Sequence, residues 1–404
     1  MGVGHVHDGE RPRATERVTT ILSIVVGVVV FFTALGAASV WPQDFSFFGS
    51  IPSADEDSRW VYATITEVEA DGTVLATIDG EEELGERPMA TLDDPTLPLA
   101  VGDTVRALEL PDGQLGFSDY ERGASMIVLA IIYVVLVIAV AWWRGLGALL
   151  GLIAAFGIVM FFTVPALFGG GNALIVGLVT GAGALFVLLY LAHGPNARTT
   201  TAYLGTLAGL AVTAALAMWA VSSSKLLGFW SEDGAHLELF NRGVSLQGIV
   251  VCGIVLAGLG VLNDVTVTQA SAVWELRTAR PDLNWWSLFV RGMRIGRDHI
   301  ASTVYTIAFA YVGAALPTLM FISLYGHGLG VTLSSSDIAE EVVRTLVGSI
   351  GLVLAVPLTT LIGALVVAGD SVKAPARATA QVAAQVAAQV AEQIDDESSA
   401  TMEE

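Results

Sequence analysis

Eight apolar runs of about 20 residues set the pattern of this chain, at roughly 18–41, 124–143, 145–168, 173–192, 200–222, 244–263, 300–324 and 342–368. A helix needs about 20 such residues to cross a bilayer, so each run predicts one transmembrane helix. The first run is too long for a removed signal peptide and lacks a small-residue cleavage pattern, which predicts a retained anchor. The 124–168 stretch needs a break. Arg144 and Gly145, beside Trp142 and Trp143, supply a charge and interfacial aromatics there.

Between the first two runs the pattern changes period. Trp60 to Glu69 is rich in β-branched and aromatic residues, Asp71-Gly72 is a hairpin signal, and Thr73 to Asp79 reads as the return strand. Val101 to Val105 and Pro111-Asp112-Gly113 bracket a third strand. Four or five short strands over 55–121 predict a small OB-like or SH3-like barrel. After Lys373, Val382, Val386, Val390 and Ile394 recur every four residues among Ala and Gln, which reads as a helix running into an acidic, disordered end. The predicted fold is an all-α polytopic membrane bundle of about eight helices with a small extracytoplasmic β-barrel-like domain between helices 1 and 2. Its parts are 1–17, span 18–41, the β domain 55–121, seven spans over 124–368, and a tail 369–404.

Composition strengthens the membrane reading. The chain is 54% hydrophobic and only 14% charged over 404 residues, whereas soluble domains carry about 25% charged residues. The net charge of −20 sits mainly in 44–121 and after Glu392. That excludes a basic nucleic-acid surface. Asp55, Glu56, Asp57, Glu81, Glu82 and Glu83 give the β domain an acidic face, a solvated face in the plain reading and an interaction surface in the sharper one. The single cysteine, Cys252, excludes an intrachain disulfide framework and reads as a small core residue. His5, His7 and Asp8 are weak grounds for a terminal metal clip, so no metal or cofactor is expected. Arg144, Arg198 and the arginines of the 264–299 connection place both termini in the cytoplasm.

Three polar constellations interrupt the apolar pattern, each at the predicted cytoplasmic edge. The first runs from His193 through Asn196 and Arg198 to Thr201, with Gly194-Pro195 as a turn and Thr199 or Thr200 as a helix cap. The second runs from Gly258 to Glu275, where Asn263, Asp264, Thr268 and Ser271 fall three or four residues apart and share a face if the helix continues. The third, Arg294 to Thr303, opens span seven. Here Asp298 would favour the helix N-terminus, and Arg297 would pair with Asp264 or Asp298. Trp285, Trp286 and Phe289, flanked by arginines, read as an amphipathic helix on the inner surface.

The strings HGPNARTTTAYLGT, GLGVLNDVTVTQASAVWEL and GRDHIASTVYTIAFAYVGAALP, in this order, resemble the signature segments of the YibE/F family of bacterial multipass membrane proteins. The resemblance spans most of 60–368 and implies a bacterial cytoplasmic membrane. It brings no settled activity and no catalytic residues. Asn263, and Thr268-Gln269 where small or serine residues are usual, depart from its pattern. A shorter stretch, Leu262 to Val267 followed by Glu275-Leu276-Arg277, is similar to a segment of SecF, which would imply gradient-driven transport with Asp264 on a proton path.

With no P-loop, nucleophile–base pair or HExxH string, the chain is not expected to be an enzyme. The leading expectation is transport of a small solute, ion or lipid-linked species past His193, Asn196, Arg198, Asn263, Asp264, Arg297 and Asp298. A second reading is a membrane scaffold that recruits protein partners through 55–121 and 374–404. A third is a lipid-acting enzyme using His193 or His299. The bilayer is the expected partner in all three, and an oligomer is compatible with each. Asp264 and Arg297 buried between helices would favour transport, and the pair facing water would favour the scaffold.

Overall fold

A computed structural model of the chain describes residues 15–50, 57–69, 73–90, 98–228, 234, 236–237, 243–324 and 328–369. The Asp71-Gly72 turn, Asp55, Glu56, the His5/His7/Asp8 group and the valine-stripe tail lie outside these residues. The chain divides into two compact units, residues 44–149 and the remainder.

The first unit holds a closed five-stranded barrel. Its strands are β1 (Arg59–Val68), β2 (Val74–Ile78), β3 (Arg87–Ala90), β4 (Thr104–Glu109) and β5 (Leu115–Tyr120). They are ordered β1-β2-β3-β5-β4, with β1 closing on β4. Only β3 and β5 run parallel, with Met89 opposite Leu115. This arrangement is OB-like. Alternation drives it: Val61, Ala63 and Ile65 on β1, Val74, Ala76 and Ile78 on β2, and Val105 and Ala107 on β4 point inward, joined by Met89 and Leu115. On the outside, Arg59 binds Glu81 at 2.7 Å and Glu109 at 2.5 Å, and Arg87 also binds Glu109. Glu81 of the predicted acidic face is therefore spent in an ion pair. Arg106 lies over the Trp60 ring.

Helix α2 (Gly123–Ile158) leaves this unit. It is interrupted at Trp142, whose φ of 54° and ψ of −137° are not helical. A π-helical turn over 159–163 and the short α3 (Val164–Phe168) follow it. The stretch Gly123–Phe168 is 46 residues long. An unbroken helix of that length would run about 69 Å, over twice the roughly 30 Å hydrocarbon core.

The second unit also contains α1 (Glu16–Ser39), α4 (Ala173–His193), α5 (Ala197–Ser223), α6 (Leu246–Ala279), α7 (Trp285–Ala314), α8 (Leu316–Ser323), α9 (Leu329–Leu333) and α10 (Ser336–Ala368). Among the described residues six helices are long and apolar enough to cross a membrane: α1, the α2–α3 stretch, α4, α5, α6 and α10. The eight predicted spans differ from this count in two places. The broken 46-residue stretch counts once, and predicted span seven, 300–324, is divided between the second half of α7 and the short α8. The predicted amphipathic helix and the first part of span seven, to Ala314, are one continuous helix.

Glycine and threonine build the bundle centre. On α5 and α10, Gly205 faces Thr359, Gly209 faces Ala355, and Gly351 faces Thr213. Each step of four along one helix is answered by a step of four back along the other, so the two pack antiparallel at small-residue distance. Thr206 and Thr266 join α5 to α6 at 2.5 Å, also antiparallel, since Gly258 meets Thr213 and Gly209 meets Leu262. Gln269, 2% exposed, donates to the Gly292 carbonyl at 2.8 Å and to the Thr360 hydroxyl at 2.7 Å, tying α6, α7 and α10 together. Helix α4 runs parallel to α6, with Ala173 against Gly248 and Gly177 against Cys252. Cys252 is thus a packing residue in a glycine notch.

Candidate functional site

These registers give every helix a common depth scale. The midpoints of α4, α5 and α10 all fall level with about residue 260 of α6, because the paired positions just named fix one helix against the next. At 1.5 Å per residue, Asp264 lies about 6 Å from that midpoint. Gln269 sits between Gly292 and Gly296 of the antiparallel α7. Arg297 and Asp298 are therefore level with about residues 265–266, some 8–9 Å from the midpoint. A hydrocarbon half-thickness is about 15 Å. The second and third constellations thus lie near the middle of their helices, not at the helix ends.

The reason is that α6 does not stop at residue 263. It continues through Asn263 and Asp264 to Ala279, and α7 starts at Trp285, capped by Asn284, whose side chain accepts from the Ser287 amide at 2.8 Å. Asp298 is therefore mid-helix and caps nothing. On α6, Gly260, Asp264 and Thr268 point outward in a row at four-residue spacing, and Ser271 is half-buried. Asn263 turns away from Asp264 and carries a buried side-chain oxygen. Arg297 and Asp298 also point outward, beside Ala301 and Ser302. Among the described residues no ion pair joins Arg297 to Asp264 or to Asp298. Both Asp264 and Arg297 are exposed on the outside of the bundle, not buried between its helices.

The first constellation is separate. His193 ends α4, and Asn196 is the cap of α5: its Oδ1 accepts from the Thr199 amide at 2.9 Å, and its Nδ2 donates to the His193 and Gly194 carbonyls. The expected Thr199 or Thr200 cap is replaced because both threonines already lie inside the helix, buried, with Thr200 bonded to Tyr190. Arg198 is half-buried one turn into α5. In the shared register it stands about nine residues, roughly 14 Å, below Asp264. His193 and His299 lie on helices that use different faces of α6, α4 through Cys252 and α7 through Gln269.

The opposite end of the bundle holds a cavity of about 430 Å³ lined by Lys225, Tyr311, Thr318, Ser336, Glu341 and Arg344 among others. Arg344 is clamped by Glu340 at 2.7 Å and Glu341 at 2.6 Å. Sequence reasoning passed over it. The available signal was two glutamates three and four residues before an arginine at the head of a span. The buried Gln269 was a second such signal, an amide inside an apolar run.

Residues 129–369 match the YibE/F-like protein family, from within α2 to the residue after α10. The chain belongs to the YibE/F-like family. The matched stretch contains all three constellations and the Arg344 cavity, and it starts after the barrel. The comparisons carry no likeness to SecD or SecF, and no curated protein and no solved structure matches the chain. Family and helices together make this an integral, multipass membrane protein.

Proposed function

We propose that this family member moves a small solute, ion or lipid-linked species across a bacterial cytoplasmic membrane, with both termini in the cytoplasm. The observation that carries the reading is the set of ionisable residues Asp264, Arg297 and Asp298 in the middle of the long helices α6 and α7. Ionisable residues inside membrane-embedded helices are expensive and mark pathways more often than structure. The Arg344 cavity supplies a polar vestibule at one end of the same bundle. An enzymatic role is the weaker reading, since His193 and His299 lie on helices that meet α6 through different residues, Cys252 and Gln269. The exposed Trp60, Tyr62 and Arg106 of the barrel support an accessory docking role for that unit alongside transport.

Reconstitution tests this. Liposomes carrying the wild type, Asp264→Asn or Arg297→Gln are assayed for proton, alkali-cation and phosphate flux against empty vesicles. The expected result is a flux in the wild type that falls at least about tenfold in each variant. Folded variants with full flux would remove Asp264 and Arg297 from any path.

A further inference from the structure

A groove of about 420 Å³ runs along the seam between α1 and α4, bordered by the end of the α2–α3 stretch. Its small lining residues are Ala34 and Ala37 of α1 and Gly183 of α4, and its large ones include Phe162, Phe186 and Trp41. Polar groups are few. They are the hydroxyls of Thr33 and Tyr203, and Tyr203 already donates to the Ala182 carbonyl at 3.2 Å. Gly36 against Val179, and Val26 and Val29 against the Leu185–Leu189 cluster, set the two helices antiparallel. The π-helical turn over 159–163 carries Phe162 to 5.9 Å from the Trp41 ring, and Thr163 bonds to Thr180 of α4 at 2.7 Å, which fixes that border. A Cβ on Gly183 would meet nothing within 4 Å. Glycine weakens a helix interior, and packing within the chain gives no return for it here.

The width of the groove selects its occupant. Lined by apolar atoms, it does not hold water. It follows α4 from Val179 to Val187, about 12 Å, so its mean cross-section is roughly 35 Å². A helix with its side chains is at least about 10 Å across, roughly 80 Å², and does not fit. A hydrocarbon chain, whose carbons touch their neighbours at about 4 Å, takes roughly 20 Å² and does. The helices that line the groove are among those long and apolar enough to cross a membrane, so lipid chains surround its opening. Trp41 lies just past the end of α1 and is 60% exposed, as suits a tryptophan at head-group level. We infer that the groove is a binding site for one acyl chain of a membrane phospholipid, with the head group at the Trp41 end. The site shares no residue with Asp264, Arg297 or the Arg344 cavity. It goes beyond the transport reading and stands or falls separately from it.

Photolabelling of the full chain in phosphatidylethanolamine nanodiscs tests it. The probe is a trace of the same phospholipid with a diazirine halfway down one acyl chain. Adducts should concentrate on residues 34–41, 162 and 179–187, at least about fivefold per residue over Ile24, Phe31 and Phe32 on the open side of α1. Gly183→Phe aims a ring at open space in the groove and should bring the adducts down to the level of that open side. Ala37→Phe, from the other helix, should do the same. Added phospholipid should raise the melting temperature of delipidated wild type and leave that of Gly183→Phe unchanged, which separates a filled groove from a failure to fold. Labelling spread evenly around α1, or undiminished in both variants, would overturn the inference. So would an unlabelled groove, the result expected if a second copy or another protein covers it. Adducts displaced by polyprenyl phosphate but not by excess unlabelled phospholipid would assign the groove to another lipid and overturn it too. The two proposals fail separately: absence of flux leaves the labelling pattern as expected, and an unlabelled groove leaves the flux assay untouched.

Discussion

In the barrel, Ala63, Ile65, Val105 and Leu115 are shut away while Arg59, Arg87, Glu81 and Glu109 pair on the outside. In the bundle, Thr201, Thr206, Thr266 and Gln269 are shut away while Ile24, Phe31 and Phe161 face outward. The difference follows the solvent. Water rewards the barrel for hiding apolar area, at about 25 cal/mol per Å². Lipid gives helices no such reward, so the bundle is held by close van der Waals approach and by hydrogen bonds between polar side chains. One chain therefore contains two cores whose weak points differ: volume lost in the barrel, and volume gained in the bundle.

The largest effect should come from adding bulk at the α5–α10 contact. A side chain at Gly205 has no room beside the Thr359 hydroxyl. Gly205→Leu should cost more than about 3 kcal/mol and abolish cooperative unfolding of the bundle in detergent titrations. A tolerated Gly205→Leu would mean that α5 and α10 do not pack at glycine distance. The barrel should answer to the opposite change. Leu115 is fully buried among β1, β2 and β4 residues. Leu115→Ala should cost about 3 kcal/mol, read as faster amide exchange in the strands with the bundle unchanged.

A smaller effect is expected from Gln269→Leu. It removes two hydrogen bonds between three helices but keeps the volume, for a loss of about 1–2 kcal/mol in the same detergent titration. No change would mean that the Gly292 and Thr360 contacts add nothing to packing.

Acid should act on the barrel alone and most gently. Hydrogen bonds from Arg59 hold the Glu109 and Glu81 carboxyls below their usual range, with Arg87 adding to the effect at Glu109. The folded barrel then binds fewer protons than the unfolded chain. Its stabilisation is complete above the ordinary glutamate value of about 4.3 and drains as pH falls through the lower folded values. Exchange protection of the strands should fall between those values, and Glu109→Gln should flatten that response. An unchanged profile in Glu109→Gln would mean that other carboxylates carry the acid sensitivity.

The sequence made the barrel legible because water-facing strands alternate. Trp60 to Glu69 and Thr73 to Asp79 correspond to β1 and β2 within a residue or so. Strand β3, four residues containing Pro88, has too little pattern to detect. The apolar runs located most of the helices for the same reason of scale: twenty residues without charge have few alternatives. The end of α6 was illegible. A polar residue deep in a membrane helix and one in the loop beyond it look identical to a hydropathy window, so Asn263 and Asp264 read as an edge. The antiparallel threonine–glycine register, which only packing reveals, puts them mid-helix, level with the middle of α5 and α10. Nor does a sequence say which side of a helix faces its own bundle. Asn263 and Asp264 are neighbours in the chain and point in different directions.

The depth of Asp264 underlies the transport proposal, and amide hydrogen exchange of the wild-type chain in lipid nanodiscs reads it most directly. Helix α6 should be protected through residues 258–268 as strongly as α5 is around residue 210, with protection falling only beyond about residue 272. Rapid exchange that begins at Asn263 would place Asp264 in water at the membrane edge and contradict the account.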